Sequence, residues 1–216
     1  MPHDGNGTSL VAEEAQQAPA PHQRTETDRT APWLPGEVGI WVFVLTDLMM
    51  FTAYFAAVMN ERGHHGRDFV AGRAAMNTDL GVVNTFLMLT ASLCIALAVH
   101  AVRKSEHHTS RRFLLAAGTC GALFIVAKAI EWSSAVGAGH TPQTNVFFQM
   151  YFLLTGMHLL HVIIAMLVLA HMWHTTGRGT APTGTRRLRF FENGATFWHL
   201  TDTLWIVLFT LFYLVR

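Results

Sequence analysis

Beyond residue 36 the chain reads as five long apolar runs separated by short polar connections, at about residues 37 to 60, 79 to 102, 113 to 136, 147 to 174 and 194 to 215. Each is at least as long as the roughly 20 residues an α-helix needs to cross the hydrocarbon core of a bilayer. None shows the short alternating segments of a membrane barrel, and in lipid every backbone N–H and C=O must find a partner within the protein. The pattern therefore predicts an all-α fold, an integral membrane five-helix transmembrane bundle over residues 36–216. Residues 1–35 have a different texture. They hold five of the seven prolines, mixed charge and no apolar run ahead of a small-residue cleavage site, which predicts a disordered cytoplasmic tail without a signal peptide. The run Pro32-Trp33-Leu34-Pro35-Gly36-Glu37 closes that tail and puts Trp33 where an interfacial anchor sits. The connections at 61–78, 103–112, 137–146 and 175–193 are too short for a further domain, and no repeat with a period of 20 to 50 residues is present.

Composition agrees with the membrane class: 51% of residues are hydrophobic and only 13% charged. A formal net charge of +1 gives no reason to invoke nucleic acid. The placement of positive charge says more than its sum. Ten Lys and Arg residues fall in the N-terminal tail and the second and fourth connections, against four (Arg62, Arg67, Arg73 and Arg216) on the other side. By the positive-inside rule this predicts a multi-pass protein of the cell membrane with a cytoplasmic N-terminus and an exported C-terminus. The two cysteines, Cys94 and Cys120, lie inside spans and read as small packing residues.

Four of the five spans carry ionisable side chains at depth: Asp47, Lys128, Glu131, His158, His161, His199 and Asp202. Such groups cost roughly 2.5 to 3.5 kcal/mol at the bilayer centre on insertion scales, so they face the bundle interior or a lipid-filled cleft and pair with one another. His158 and His161 are three apart and are expected to share a helix face and a neighbour. Lys128 and Glu131 form an opposite-charge pair with the same spacing, next to Trp132, which suggests a position towards the outer interface where lipid head groups could be engaged. His199 and Asp202 repeat the spacing and read as a helix-locking hydrogen-bond pair. Asp47 has no basic residue within one turn and needs a partner from another helix, or a proton of its own. An imidazole is the natural partner because it both donates and accepts. A metal would need more ligands at matching depth than His158 and His161 supply, and the spacing is not the Glu-x-x-His of di-iron bundles. Haem between His100, His158, His161, His171 and His199 is a second possibility, weakened because His100 and His171 sit near span ends. Gly81, Asn84, Thr85, Gly118 and Gly121 are residues that let membrane helices approach closely, although the third-span glycines are not spaced as GxxxG.

Several of these segments resemble subunit III of the haem–copper oxidases, of the cytochrome c oxidase subunit 3 type, and in particular the short NorE-like branch associated with nitric oxide reductase. The resemblance covers about residues 36–216. Gly39 to Phe51 looks like the family's first shared helix, with Asp47 where an oxidase usually has a buried Glu. Asn84 to Ser92, Glu131-Trp132, Thr155 to Val162 and Trp198 to Trp205 resemble the remaining signatures in the family's order. The resemblance implies a non-catalytic accessory subunit that binds no haem or copper directly, those being held by partner subunits. It also implies packing beside the catalytic subunit of an oxidase or of the related nitric oxide reductase, phospholipid in its clefts, and support of sustained turnover through proton uptake or oxygen supply. Only five of the seven helices of full-length forms have counterparts here, so the arm that closes the large lipid cleft has none. Asp47 and Lys128 lean towards the NorE-like branch. The rival reading is a stand-alone five-helix membrane cytochrome or metal protein using His158, His161 and His199, and a third is a separate assembly or gating factor.

Overall fold

The computed structural model describes residues 38–74, 76–177 and 185–214. The tail expected over residues 1–35, the Trp33 anchor and Arg216 lie outside the described residues. Six α-helices follow in order: α1 (Val38–His64), α2 (Gly66–Ala74), α3 (Thr78–Arg103), α4 (His107–Gly137), α5 (Val146–Gly177) and α6 (Thr185–Phe209), the last continued by one π-helical turn over Thr210–Leu214. Among the described residues no strand is present. The protein is an all-α bundle with five helices long and apolar enough to span a membrane, namely α1, α3, α4, α5 and α6 with its π turn.

The long helices exceed their apolar runs because polar residues extend them past the hydrocarbon. α4 has 31 residues, or about 46 Å at 1.5 Å per residue, against a core of about 30 Å. Short connections between α3, α4 and α5 are set by helix-end geometry. At the end of α3, Ser105 N–H reaches Val102 O at 2.9 Å and Glu106 N–H reaches Ala101 O at 2.9 Å, with Ser105 at φ 62°. At the end of α4, Gly139 at φ 84° sits in the same arrangement, its N–H on Val136 O and that of His140 on Ala135 O. Both are Schellman caps, which satisfy carbonyls that the helix end would otherwise strand. α3 begins at Asn77, whose side-chain oxygen accepts from Asp79 N at 3.1 Å and Leu80 N at 3.3 Å.

α3, α4, α5 and α6 pack in a closed ring, each against its chain neighbour and α6 back against α3, while α1 lies outside against α5 and α6. The ring interior is filled by large side chains, among them Phe124, Tyr151, Trp198, Trp205 and Tyr213, all almost wholly buried. The outer faces keep large apolar residues exposed, such as Leu45 and Met49 on α1, Phe86 on α3 and Leu167 on α5. An apolar exterior of this extent is what a lipid environment calls for.

The first connection is more than a loop. α2 buries Phe69 edge-on against Phe147 of α5, with ring centroids 5.4 Å apart. Phe147 packs on Phe212 of the π turn, which in turn packs on Tyr151. Gly72 permits this docking, since a Cβ there would fall 2.1 Å from Phe147 Cδ1. The aromatic layer under α2 thus continues into the bundle's polar centre.

Candidate functional site

Lys128, on α4, is 2% exposed and Glu131, one turn later, is 4% exposed. The Lys128 ammonium donates to Glu131 Oε2, Tyr151 Oη and Tyr213 Oη, each at 3.1 Å. An ammonium has three N–H donors, so all are used. The two phenols then pass their own hydrogens on: Tyr151 and Tyr213 both donate to Glu131 Oε1, the former at 2.6 Å. The result is a closed, net-neutral group of four side chains from α4, α5 and the π turn, in which each donor has an acceptor. The ammonium also lies 4.9 Å from the centroid of Trp205 and 5.1 Å from that of Tyr151, where a desolvated cation gains from the ring quadrupoles. The expectation that this pair engages lipid head groups is corrected for Lys128: protein takes up its donors and none is left for a lipid. Glu131 does border a cavity of about 340 Å³ with Asn77 and His140 among its lining.

Trp205 connects this group to the rest of the ring. Its indole N–H donates to Thr85 Oγ1 of α3 at 3.0 Å, and its ring packs edge-on to Phe124 and tilted against His158. His158 is 1% exposed, lies between Phe124 and Trp205, and neither ring nitrogen has a hydrogen-bond partner among the described residues.

His161 behaves differently. Its Nε2 is 3.1 Å from Asp47 Oδ1 of α1, its Nδ1 is 2.8 Å from Met157 O, and the edge of Phe51 covers the ring. A carbonyl only accepts, so Nδ1 carries a hydrogen. The Nε2–Oδ1 contact then holds a single proton, on the carboxyl or on the imidazole. His158 and His161 share α6 as a neighbour, through Trp205 and Phe197 respectively, but not a polar partner. Three residues along a helix rotate a side chain by about 60°, enough on α5 to aim His158 at α4 and α6 and His161 at α1 and the neighbouring edge of α6.

His199 and Asp202 do not bond each other directly. Both turn to Ser92 of α3, whose hydroxyl is 2.7 Å from His199 Nδ1 and also interacts with Asp202. Asp202 is buried, with Oδ1 unpartnered among the described residues, while His199 lies exposed at the bundle's edge. His199 lies at the outer face of the bundle with Ser92 as its polar partner, because the apolar face of α6 turns Trp198 and Trp205 inward.

The seven polar residues thus separate into three groups: Lys128 with Glu131, His161 with Asp47, and His199 with Asp202, leaving His158 against aromatic rings. Tyr151, Tyr213, Ser92 and Thr85 complete them. The tyrosines carried a usable signal, being polar tips inside apolar runs, and Tyr213 lies in the same span as Asp202. Among the described residues no three His, Cys, Asp or Glu side chains converge as a metal site, and Cys94 and Cys120 are both unbridged thiols. Chemically the groups hold protons at fixed atoms and tie helices together; His158, His161 and His199 turn to three different surroundings.

Comparison with known proteins bears on this arrangement. Residues 32–215 match a family model described as cytochrome c oxidase subunit III. A cytochrome c oxidase subunit 3 of Thermostichus vulcanus is 27% identical over 179 residues, covering 82% of this chain and 86% of that protein. A cytochrome bo(3) ubiquinol oxidase subunit 3 of Pseudomonas aeruginosa is 32% identical over 183 residues, covering 82% of this chain and 83% of its own length. A heme-copper oxidase subunit I+III of Aeropyrum pernix is 24% identical over 181 residues, which take up 82% of this chain and 22% of that longer protein.

Proposed function

This chain belongs to the cytochrome c oxidase subunit III family of the haem–copper oxidases, and we propose that it serves as a non-catalytic accessory subunit beside a haem- and copper-bearing catalytic subunit. The observation that carries the reading is the family match over residues 32–215, joined to the Lys128–Glu131 and His161–Asp47 pairs, which bond within the bundle. Its partner is of the subunit I kind: the Aeropyrum pernix protein named subunit I+III carries, in one chain, a segment similar to this one. The bundle supports sustained turnover of that partner and holds phospholipid against its apolar exterior. It lies in the cell membrane with the N-terminus cytoplasmic and the C-terminus exported, as the ten-to-four split of basic residues favours.

A second reading places the chain in the NorE-like branch, with a nitric oxide reductase as partner. Asp47 in place of the oxidases' buried Glu, and Lys128 where oxidases often have a neutral residue, favour it.

Affinity purification of the chain from its native membrane tests the proposal. Stoichiometric recovery with haem-bearing subunits is expected, and the substrate reduced by the recovered complex, oxygen or nitric oxide, separates the two readings. Recovery of the chain alone, with a Soret band of its own, would favour a self-contained cytochrome instead.

A further inference from the structure

At the end of the bundle where the basic connections gather, the first turns of α4 and the last turns of α5 flank an open cavity of about 520 Å³. α4 contributes His107, His108, Arg111 and Arg112, and α5 contributes Trp173 and Thr176. Among the described residues no acidic side chain lines it. The Arg111 guanidinium lies 4.2 Å from the centroid of Trp173, a cation–π contact that positions the charge before any ligand arrives. Two ring nitrogens of the wall, Trp173 Nε1 and His107 Nδ1, are shielded from solvent and have no hydrogen-bond partner among the described residues. Glu106, at the start of α4, makes no side-chain hydrogen bond to the first turn, so no side chain caps the N–H groups there.

Depth supplies the rest of the argument. α4 outruns the hydrocarbon core, which places its first turns at head-group level. Leu115, two turns further in, also lines the cavity and is exposed, so the pocket runs from a cationic mouth to an apolar flank. Two guanidiniums, that of Arg111 stacked on Trp173, and an apolar flank fit an amphiphile with a phosphate at one end. Basic pockets between membrane helices on the positively charged side are suited to such groups.

We infer that this cavity binds the phosphate of an anionic phospholipid, held by Arg111 and Arg112, with its acyl chains running past Leu115. The inference rests on the lipid-binding reading above and gives it a site and a head-group chemistry.

The test uses the full chain in neutral-detergent micelles, stripped of lipid. It is titrated with phosphatidylglycerol or phosphatidylcholine carrying a nitroxide near the glycerol, and quenching of Trp173 is taken as the difference between wild type and Trp173→Phe. The reading is local, so lipid bound elsewhere does not contribute. Phosphatidylglycerol is expected to quench at about tenfold lower mole fraction than phosphatidylcholine. Arg112→Gln should raise its midpoint about fivefold, and Arg111→Gln combined with Arg112→Gln about thirtyfold. If the double variant does not fold, Arg112→Gln alone decides, because that side chain is exposed. Millimolar inorganic phosphate should not compete; if it displaces the lipid, the site takes a soluble phosphate and the inference is overturned. Equal quenching by both lipids, or arginine variants that match wild type, overturns this site while leaving lipid binding elsewhere intact. No quenching by either lipid, together with a purified complex free of phospholipid, overturns the lipid-binding reading as well.

Discussion

Asp47 on α1 and His161 on α5 share one proton across a 3.1 Å contact, because the other ring nitrogen of His161 is committed to Met157 O. This joins the peripheral helix to the ring, and it makes a specific expectation possible. In Asp47→Asn the amide nitrogen can donate to Nε2 of a neutral imidazole, so the geometry survives without any shared proton. Asp47→Asn should fold within about 1 kcal/mol of wild type, whereas Asp47→Ala should lose about 1 to 3 kcal/mol through a stranded imidazole and a void. Thermal unfolding of the purified chain checks both. In the assembled complex, Asp47→Asn is expected to alter sustained turnover without loss of haem. Unchanged turnover through prolonged assays over a wide pH range would reduce Asp47 to a helix-packing residue.

The helix ends offer a matched pair of substitutions. Gly139 and Ser105 occupy the same position in two Schellman caps, both with positive φ. A side chain is strained there, so Gly139→Ala should destabilise by about 1 kcal/mol and Ser105→Gly should stabilise by several tenths to about 1 kcal/mol. Opposite shifts in unfolding temperature are the expected result. Shifts of the same sign would show that the caps do not govern stability at these turns.

Orientation can be read independently of any partner. Single cysteines introduced into the connection after α3, beside Lys104, should be labelled only from the cytoplasmic side, and those next to Arg67 in α2 only from outside. The native Cys94 and Cys120 would first be replaced, since both are partly accessible. Labelling in the reverse sense would overturn the topology drawn from the basic residues.

The spans were legible because lipid solvation demands long uninterrupted apolar runs, and that demand is written residue by residue. Their ends were not. α4 begins at His107 and α6 at Thr185, well before the apolar runs at 113 and 194, because polar residues prolong a helix beyond the hydrocarbon without any hydropathy signal. α2 was likewise hidden, as only Phe69 and Gly72 are buried in a nine-residue segment that reads as polar. That a carboxylate on one helix should meet an imidazole on another follows from valence alone. That His161 rather than His158 meets Asp47, and that Ser92 stands between His199 and Asp202, depends on how each helix is rotated about its axis. That rotation is set by packing of Trp198, Trp205 and their neighbours across the ring, which no local pattern records.

The Lys128 group yields the sharpest energetic expectation, because each of its members satisfies the others. Removing the lysine alone, as in Lys128→Met, leaves Glu131 buried with two phenol donors but no counter-charge. Breaking one partner of a buried ion pair typically costs about 3 to 5 kcal/mol. Replacing both charges, Lys128→Met with Glu131→Gln, removes the uncompensated carboxylate and leaves an amide that can still accept from Tyr151 and Tyr213. The double variant should therefore recover most of the loss, which a double-mutant cycle on unfolding free energy measures directly. Additive losses would mean that Lys128 and Glu131 act separately. Recovery of stability with impaired turnover in the complex would show that the cluster is kept for the enzyme it accompanies rather than for the fold, since a buried ion pair is weak support for stability in itself.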